Sequence, residues 1–198
     1  MRKTIVVIVV LAALVAGYSA WPFFGLFGLV RAVEARDLPA IAARVDVREL
    51  RRAFVDQLVR TYLRVTGRDR NLNPLTQNIL ARAAGAFVDP LVAKLLSSEV
   101  LADLLRNGWP ADVLPGRPAD MKGLSRENLG SLWPLYANAD YGIGSFRVSV
   151  PADRPAPQRF RLSLRLTNWT WKLDGIELPE PIRLRLVEEF LRAHPEQR

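Results

Sequence analysis

The chain has 198 residues, no cysteine and one histidine, and its 28 Lys and Arg against 20 Asp and Glu give a formal charge of +8. Without cysteine there is no disulfide framework and no lipid acylation of the lipoprotein kind, and one histidine leaves no basis for a zinc or other transition-metal site. Lysine stands only at positions 3, 94, 122 and 172, so the positive charge is almost wholly arginine. That usage fits genomic base composition or an attraction to anionic surfaces such as lipid head groups.

Arg2 and Lys3 precede an uncharged run from Thr4 to Val30, which is strongly apolar as far as Val15. A basic head before such a run marks a membrane-targeting segment, because cations are retained on the cytoplasmic side. Thr4 to Phe24 is 21 residues, about enough to cross a hydrocarbon core of roughly 30 Å. Cleavage after Ala20 would put Tyr18 at the third-last place, which is poor, whereas cleavage after Ser19 puts Gly17 there. A retained inner-membrane anchor over 1–22 with a periplasmic domain over 23–198 is the favoured reading. The alternative is secretion to the periplasm after signal cleavage.

From Phe23 to about Leu105 the apolar residues recur at helical spacing. Phe23, Leu26, Phe27, Val30 and Val33 form one stripe, predicting a helix that runs out of the membrane segment with Pro22 as a kink. Asp37 caps a short helix over 38–45, with Pro39 in its first turn. Asp46 and Glu49 resemble a capping box, with Val47, Leu50, Phe54, Leu58 and Tyr62 on the inward face. Further helices are expected from Pro74 to Phe87, from Pro90 to Ser97, and from Val100 to Arg106 with Ser98 as cap. Prolines and glycines break every period between Asn107 and Asn128, predicting a flexible loop.

After this loop the period becomes two. Phe146, Val148 and Val150 alternate with polar residues, as do Phe160, Leu162, Leu164 and Leu166. Trp169, Trp171 and Leu173 open a third strand. An extra residue at Asp174-Gly175 would keep Trp171, Leu173, Ile176 and Leu178 on one face, as a β-bulge does. Gly142-Ile143-Gly144-Ser145 reads as a turn before a strand, not as a phosphate loop. Pro181 to Arg192 reads as a terminal helix with Ile182, Leu186, Phe190 and Leu191 inward, although its start also fits a strand. Helices followed by an antiparallel sheet make the fold class α+β, the plan also of cystatin-like and nuclear-transport-factor-like (NTF2-like) folds.

Trp21-Pro22-Phe23, Leu26, Leu29, Ala32-Val33, Arg36-Asp37, Val45-Asp46 and Leu50-Arg51, in that order, resemble the opening of a proteobacterial family of unknown function, the domain of unknown function 2939 family. Tyr136 and Tyr141 ahead of Phe146-Arg147-Val148, then Trp171-Lys172-Leu173 with Ile176 and Leu178-Pro179, are similar to its later elements. The resemblance implies a cell-envelope protein with one domain. The family has no established activity, so no catalytic residue carries over.

The chemistry the residues permit is narrow. His194 stands near the end beside Pro195, and with no cysteine there is no base or nucleophile of the usual kind. Asp89, Glu99, Asp103, Asp140 and Asp174 leave a carboxylate hydrolase as a remote alternative, but Asp89 and Glu99 fit helix starts and Asp174 a turn. The expectation is a non-enzyme with no cofactor and no metal. Export and the lack of aromatics interleaved with the arginines argue against nucleic acid. Two binding surfaces follow from the strands. Phe146, Phe160, Trp169 and Trp171 are candidates to line an apolar pocket for a small apolar or amphiphilic ligand. Arg147, Arg159, Arg161, Arg165 and Lys172 share the opposite face with Ser149, Ser163 and Thr170, a candidate platform for an acidic partner, anionic lipid or another anionic envelope component.

Overall fold

The computed structural model describes residues 2–67, 88–118, 121–129, 132–151 and 153–193. The helix expected from Pro74 to Phe87 and the tail residue His194 lie outside them.

A single helix, α1, runs from Arg2 to Glu34. Its first half is exposed on all sides, with Ile5 to Val10 between 52% and 61% accessible, whereas Leu26, Leu29, Val30 and Val33 are buried. Pro22 lies inside it, and helix continues on both sides of that residue. The helix ends in a Schellman arrangement: Arg36 adopts φ 52°, and the Asp37 N–H reaches back to the Ala32 carbonyl at 3.0 Å, satisfying a terminal acceptor. Asp37 then caps α2 (Leu38–Ala43) by accepting from Ala40 N at 3.0 Å.

Helix α2 is two residues shorter than expected because Val45 is used elsewhere. Val45 forms a parallel bridge with Leu173, with Leu173 N donating to Arg44 O and Asp46 N donating to Leu173 O, both at 2.8 Å. Asp46 caps α3 (Val47–Val65) through Glu49 N at 3.2 Å. Glu49 itself turns to Arg52 at 2.6 Å instead of closing the box. Leu50, Phe54, Leu58 and Tyr62 face inward as expected, while Val47 is 47% exposed. It stands at the first position of the helix, before the inward stripe begins. Residues 88–95 form α4, and α5 spans Ser98–Asn107 with Ser97, not Ser98, as its cap residue and Gly108 closing it at φ 69°.

The described part of 107–128 is tied to the core. Trp109, Leu114 and Leu124 are buried, Trp109 Nε1–H donates to Leu114 O at 2.9 Å, and Leu124 N donates to Leu105 O at 2.6 Å. The short helices α6 (Arg126–Leu129) and α7 (Leu132–Ala137) lead into the sheet.

The sheet is an antiparallel meander in the order β1 (Ala139–Gly142), β2 (Ser145–Val150), β3 (Phe160–Thr167), β4 (Thr170–Glu177). Its register sets Tyr141 opposite Phe146, Val148 opposite Leu162, and Leu166 opposite Trp171. The pairing shifts between Ser163 and Leu164, which face Gly175 and Leu173, so Asp174 is the extra residue of a bulge. Trp171, Leu173, Ile176 and Leu178 are all buried as a result. Helix α8 (Glu180–Ala193) closes the fold with Ile182, Leu186, Val187 and Leu191 buried. The architecture is α+β, and one core cluster extends from Leu26 of α1 to Leu191 of α8.

Candidate functional site

Three regions bear on function: the polar face of the sheet, its apolar face, and the flank of α1. On the polar face Arg147, Arg161 and Arg165 are exposed, while Arg159 and Lys172 are half-buried. The face is not purely cationic. Arg165 Nε donates to Asp174 at 2.8 Å, and this hydrogen bond, reinforced by the opposite charge, holds the guanidinium more firmly protonated than usual. Arg161 pairs with Glu177 at 3.6 Å, and Arg159 donates to the Arg154 carbonyl. Arg147 and Lys172 make no ion pair among the described residues.

Helix α3 overlooks this face from beyond β4, and the two enclose a cleft of about 420 Å³. Glu49, Asp56 and Asp174 meet Arg52, Arg147 and Arg165 there. Equal numbers of opposite charges leave little net field to draw in an anion. The acidic half comes from α3 and the bulge, which the alternation of the strands does not reveal.

The four aromatics expected to line a pocket part company. Phe146, Phe160 and Trp171 are 0%, 6% and 4% exposed and belong to the core. The cavity bordering Phe160 has a volume of about 10 Å³, no more than a water would need. Trp169 sits outside, 78% exposed in the β3–β4 turn at φ 62°, and stacks on Trp21 of α1 with centroids 5.7 Å apart.

The large apolar space lies instead along α1. A groove of about 1060 Å³ runs from Ile8 to Phe27, floored by Ala12, Ala16 and Phe23 and walled by Trp133 and Tyr136 of α7. The small side chains of α1 leave room, and α7 supplies the rim. Phe23 is its aromatic hub, with ring centroids 5.1 Å from Phe146, 6.3 Å from Tyr136 and 6.4 Å from Tyr141. Burial, and to a lesser degree the neighbouring Tyr136 hydroxyl, raises the Tyr141 phenol to about 12. The sequence signal for this groove was Trp133-Pro134-Leu135-Tyr136, whose two rings share one side of a helix turn. It is uninformative until α7 is known to lie beside α1.

Of the carboxylates, Asp89 is bound by Arg51 through two hydrogen bonds of 2.5 and 3.0 Å, which hold its carboxyl below the ordinary range. Asp103 pairs with Arg36 at 3.0 Å and Asp174 with Arg165. No three His, Cys, Asp or Glu side chains gather as metal ligands among the described residues. Residues 11–104 match the model of a family described as "Protein of unknown function (DUF2939)", so the resemblance carried by the opening motifs is that family's. The motifs from Tyr136 onward lie beyond the match. No curated protein and no solved structure matches the chain.

Proposed function

We propose that this chain is a membrane-anchored binding module, held in the inner membrane by one retained span with its domain in the periplasm. The observation that carries the reading is the continuity of α1. Its exposed apolar half has the length and hydropathy of a span, and the same helix then enters the core through Leu26, Leu29, Val30 and Val33. The Tyr18 hydroxyl also accepts a hydrogen bond from Gly144 N at 3.1 Å, so the domain grips α1 on the membrane side of either cleavage position. Arg2 and Lys3 orient the span with its N-terminus cytoplasmic.

The ligand we assign to the module is apolar or amphiphilic, and the groove between α1 and α7 is where it fits. Its volume is that of a small-molecule site, and its floor continues into the span, so an acyl chain can enter from the bilayer. Binding rather than catalysis is favoured because Asp89, Asp103 and Asp174 are each engaged by an arginine. A second reading, docking of an acidic partner or anionic lipid on the sheet, rests on Arg147 and Lys172. The opposing carboxylates of the cleft make it the weaker of the two.

Native mass spectrometry of the full-length protein, extracted gently from its own membranes, tests the proposal. Intact mass with residues 1–20 present and a co-purifying amphiphile is the expected result. Ala16→Phe, which fills the groove without touching the domain core, should lose the adduct and stay membrane-bound. A chain beginning near Trp21 would overturn the anchor, and an adduct that survives Ala16→Phe would overturn the groove. Charge reversal at Arg147 and Lys172 should leave the adduct in place.

A further inference from the structure

We infer that the domain is seated in the bilayer, with the β1–β2 turn, the β3–β4 turn and α7 dipping into the lipid interface around the exit of α1. The inference rests on the anchored reading and adds a lipid-contacting surface on the domain itself.

The first observation is where exposed apolar side chains occur. Among the described residues outside α1, the large hydrophobic residues that are exposed are Val47, Val65, Trp133, Tyr136, Tyr141, Ile143 and Trp169. Five of these seven belong to the two turns, β1 and α7, and they include the most exposed: Ile143 at 102%, Trp169 at 78% and Trp133 at 74%. A water-facing domain seldom gathers such residues in one place.

The second observation is height along α1. At 1.5 Å per residue, a hydrocarbon core of roughly 30 Å takes about 20 residues, so a span beginning at Thr4 ends near Phe24. The domain already touches the helix below that level. Gly144 N–H meets the Tyr18 hydroxyl at 3.1 Å, and Trp169 stacks on Trp21. Tyr18 lies about 9 Å on the membrane side of Phe24, within the roughly 5–10 Å to which interfacial elements sink. Ile143, beside Gly144, is carried to the same depth.

The third observation is charge. Leu132 to Phe146 holds a single charged residue, the exposed Asp140 of β1, and Leu166 to Trp171 holds none, in a chain where 24% of residues are charged. Asp140 apart, desolvating these tips removes no ion from water, and their rings and hydroxyls suit the boundary between head group and acyl chain. The occupant is therefore the bilayer itself, met by aromatic and aliphatic insertion and not by electrostatic attraction.

The chain lacks cysteine, so single cysteines report depth cleanly. Full-length protein carrying an NBD fluorophore at Ile143→Cys, Trp169→Cys, Ile8→Cys or Glu188→Cys would be reconstituted in phosphatidylcholine vesicles containing nitroxide-labelled lipids. Ile8 reports the span, and exposed Glu188 on α8, which follows the far end of β4, reports the aqueous side. We expect labels at 143 and 169 to be quenched at least about twofold more than the label at 188, most strongly by nitroxides near the head group. If the label at 8 is deep while 143 and 169 match 188, the seat is overturned and the anchor stands. If 8 is also unquenched, the anchor fails and the seat with it. Labels at 143 and 169 shielded from aqueous quenchers but untouched by lipid nitroxides would mean a protein partner, and would overturn the inference too.

Discussion

Gln57 is one of only two buried polar residues among the described part of the chain, and its side-chain amide does the work of a neighbouring strand. It donates to Ile176 O at 2.8 Å and accepts from Leu178 N at 2.9 Å, pairing the outer edge of β4, which no fifth strand covers among the described residues. Gln57→Leu strands a buried donor and a buried acceptor and is expected to cost roughly 2–4 kcal/mol, read as a lowered urea midpoint with little change in slope. Trp171→Ala should lower stability by about 3–5 kcal/mol, because the indole is part of the core. Trp171→Phe should be milder, since Trp171 Nε1 is buried without a partner and its removal offsets some of the lost contact. Tyr141 gives a pH prediction. Its phenol is raised from the ordinary 10.0 to about 12 in the folded state, so the unfolded chain releases the proton first. The associated stability is complete below pH 10 and falls as pH climbs toward 12. An absorbance titration should lose a tyrosine step near pH 12 in Tyr141→Phe. None of these three roles could be read from residue type: a glutamine in an amphipathic helix looks solvated until β4 is known to lie against it.

Among the elements, those with strong periodicity were legible and those made by contact were not. The strand from Phe160 to Thr167 and the bulge at Asp174-Gly175 follow from alternation alone, because one face is buried and a one-residue slip would expose it. Deleting Asp174, the unpaired extra residue, should therefore keep Leu173 and Ile176 on one face and leave unfolding cooperative, whereas deleting Lys172 throws Trp171 onto the opposite face and should abolish cooperative unfolding. Strand β1 escaped notice because its side chains are exposed or only half-buried, so Ala139 to Gly142 carries no alternation to detect. The 107–128 segment read as a loop for its prolines and glycines, yet Trp109 pins it. Two of its three glycines, Gly108 and Gly123, are closely packed, a Cβ on Gly123 colliding with the Arg106 carbonyl, while Gly116 stands in open space. Helix α1 shows the same dependence on contact at Gly25, where a Cβ would lie 2.5 Å from Trp171 Cβ. Gly25→Val should push α1 off β4, and lowered thermal stability of the full-length chain is the check.

For the whole molecule, composition and order of elements set the class, and the long apolar helix was plain from its first twenty residues. The candidate site was not, because it is built from residues far apart in the chain: Phe23, Trp133 and Tyr136 meet only once α7 is laid against α1. The basic sheet face was legible as half a surface, its cations visible in alternation while the answering Glu49 and Asp56 came from a helix a hundred residues earlier. One feature of α1 reaches past all of these. Under the anchored reading proposed above, the part that stands in lipid and the part that stands in the core belong to one helix of 33 residues with Pro22 inside it, a rod of about 50 Å. A domain on a flexible tether sweeps a broad volume and meets partners at any angle. Anchored as proposed, this one would turn with its own axle, so that every face keeps a set height above the membrane plane. A partner would then meet it at that height, and a lean of the rod within the bilayer would carry through to the sheet.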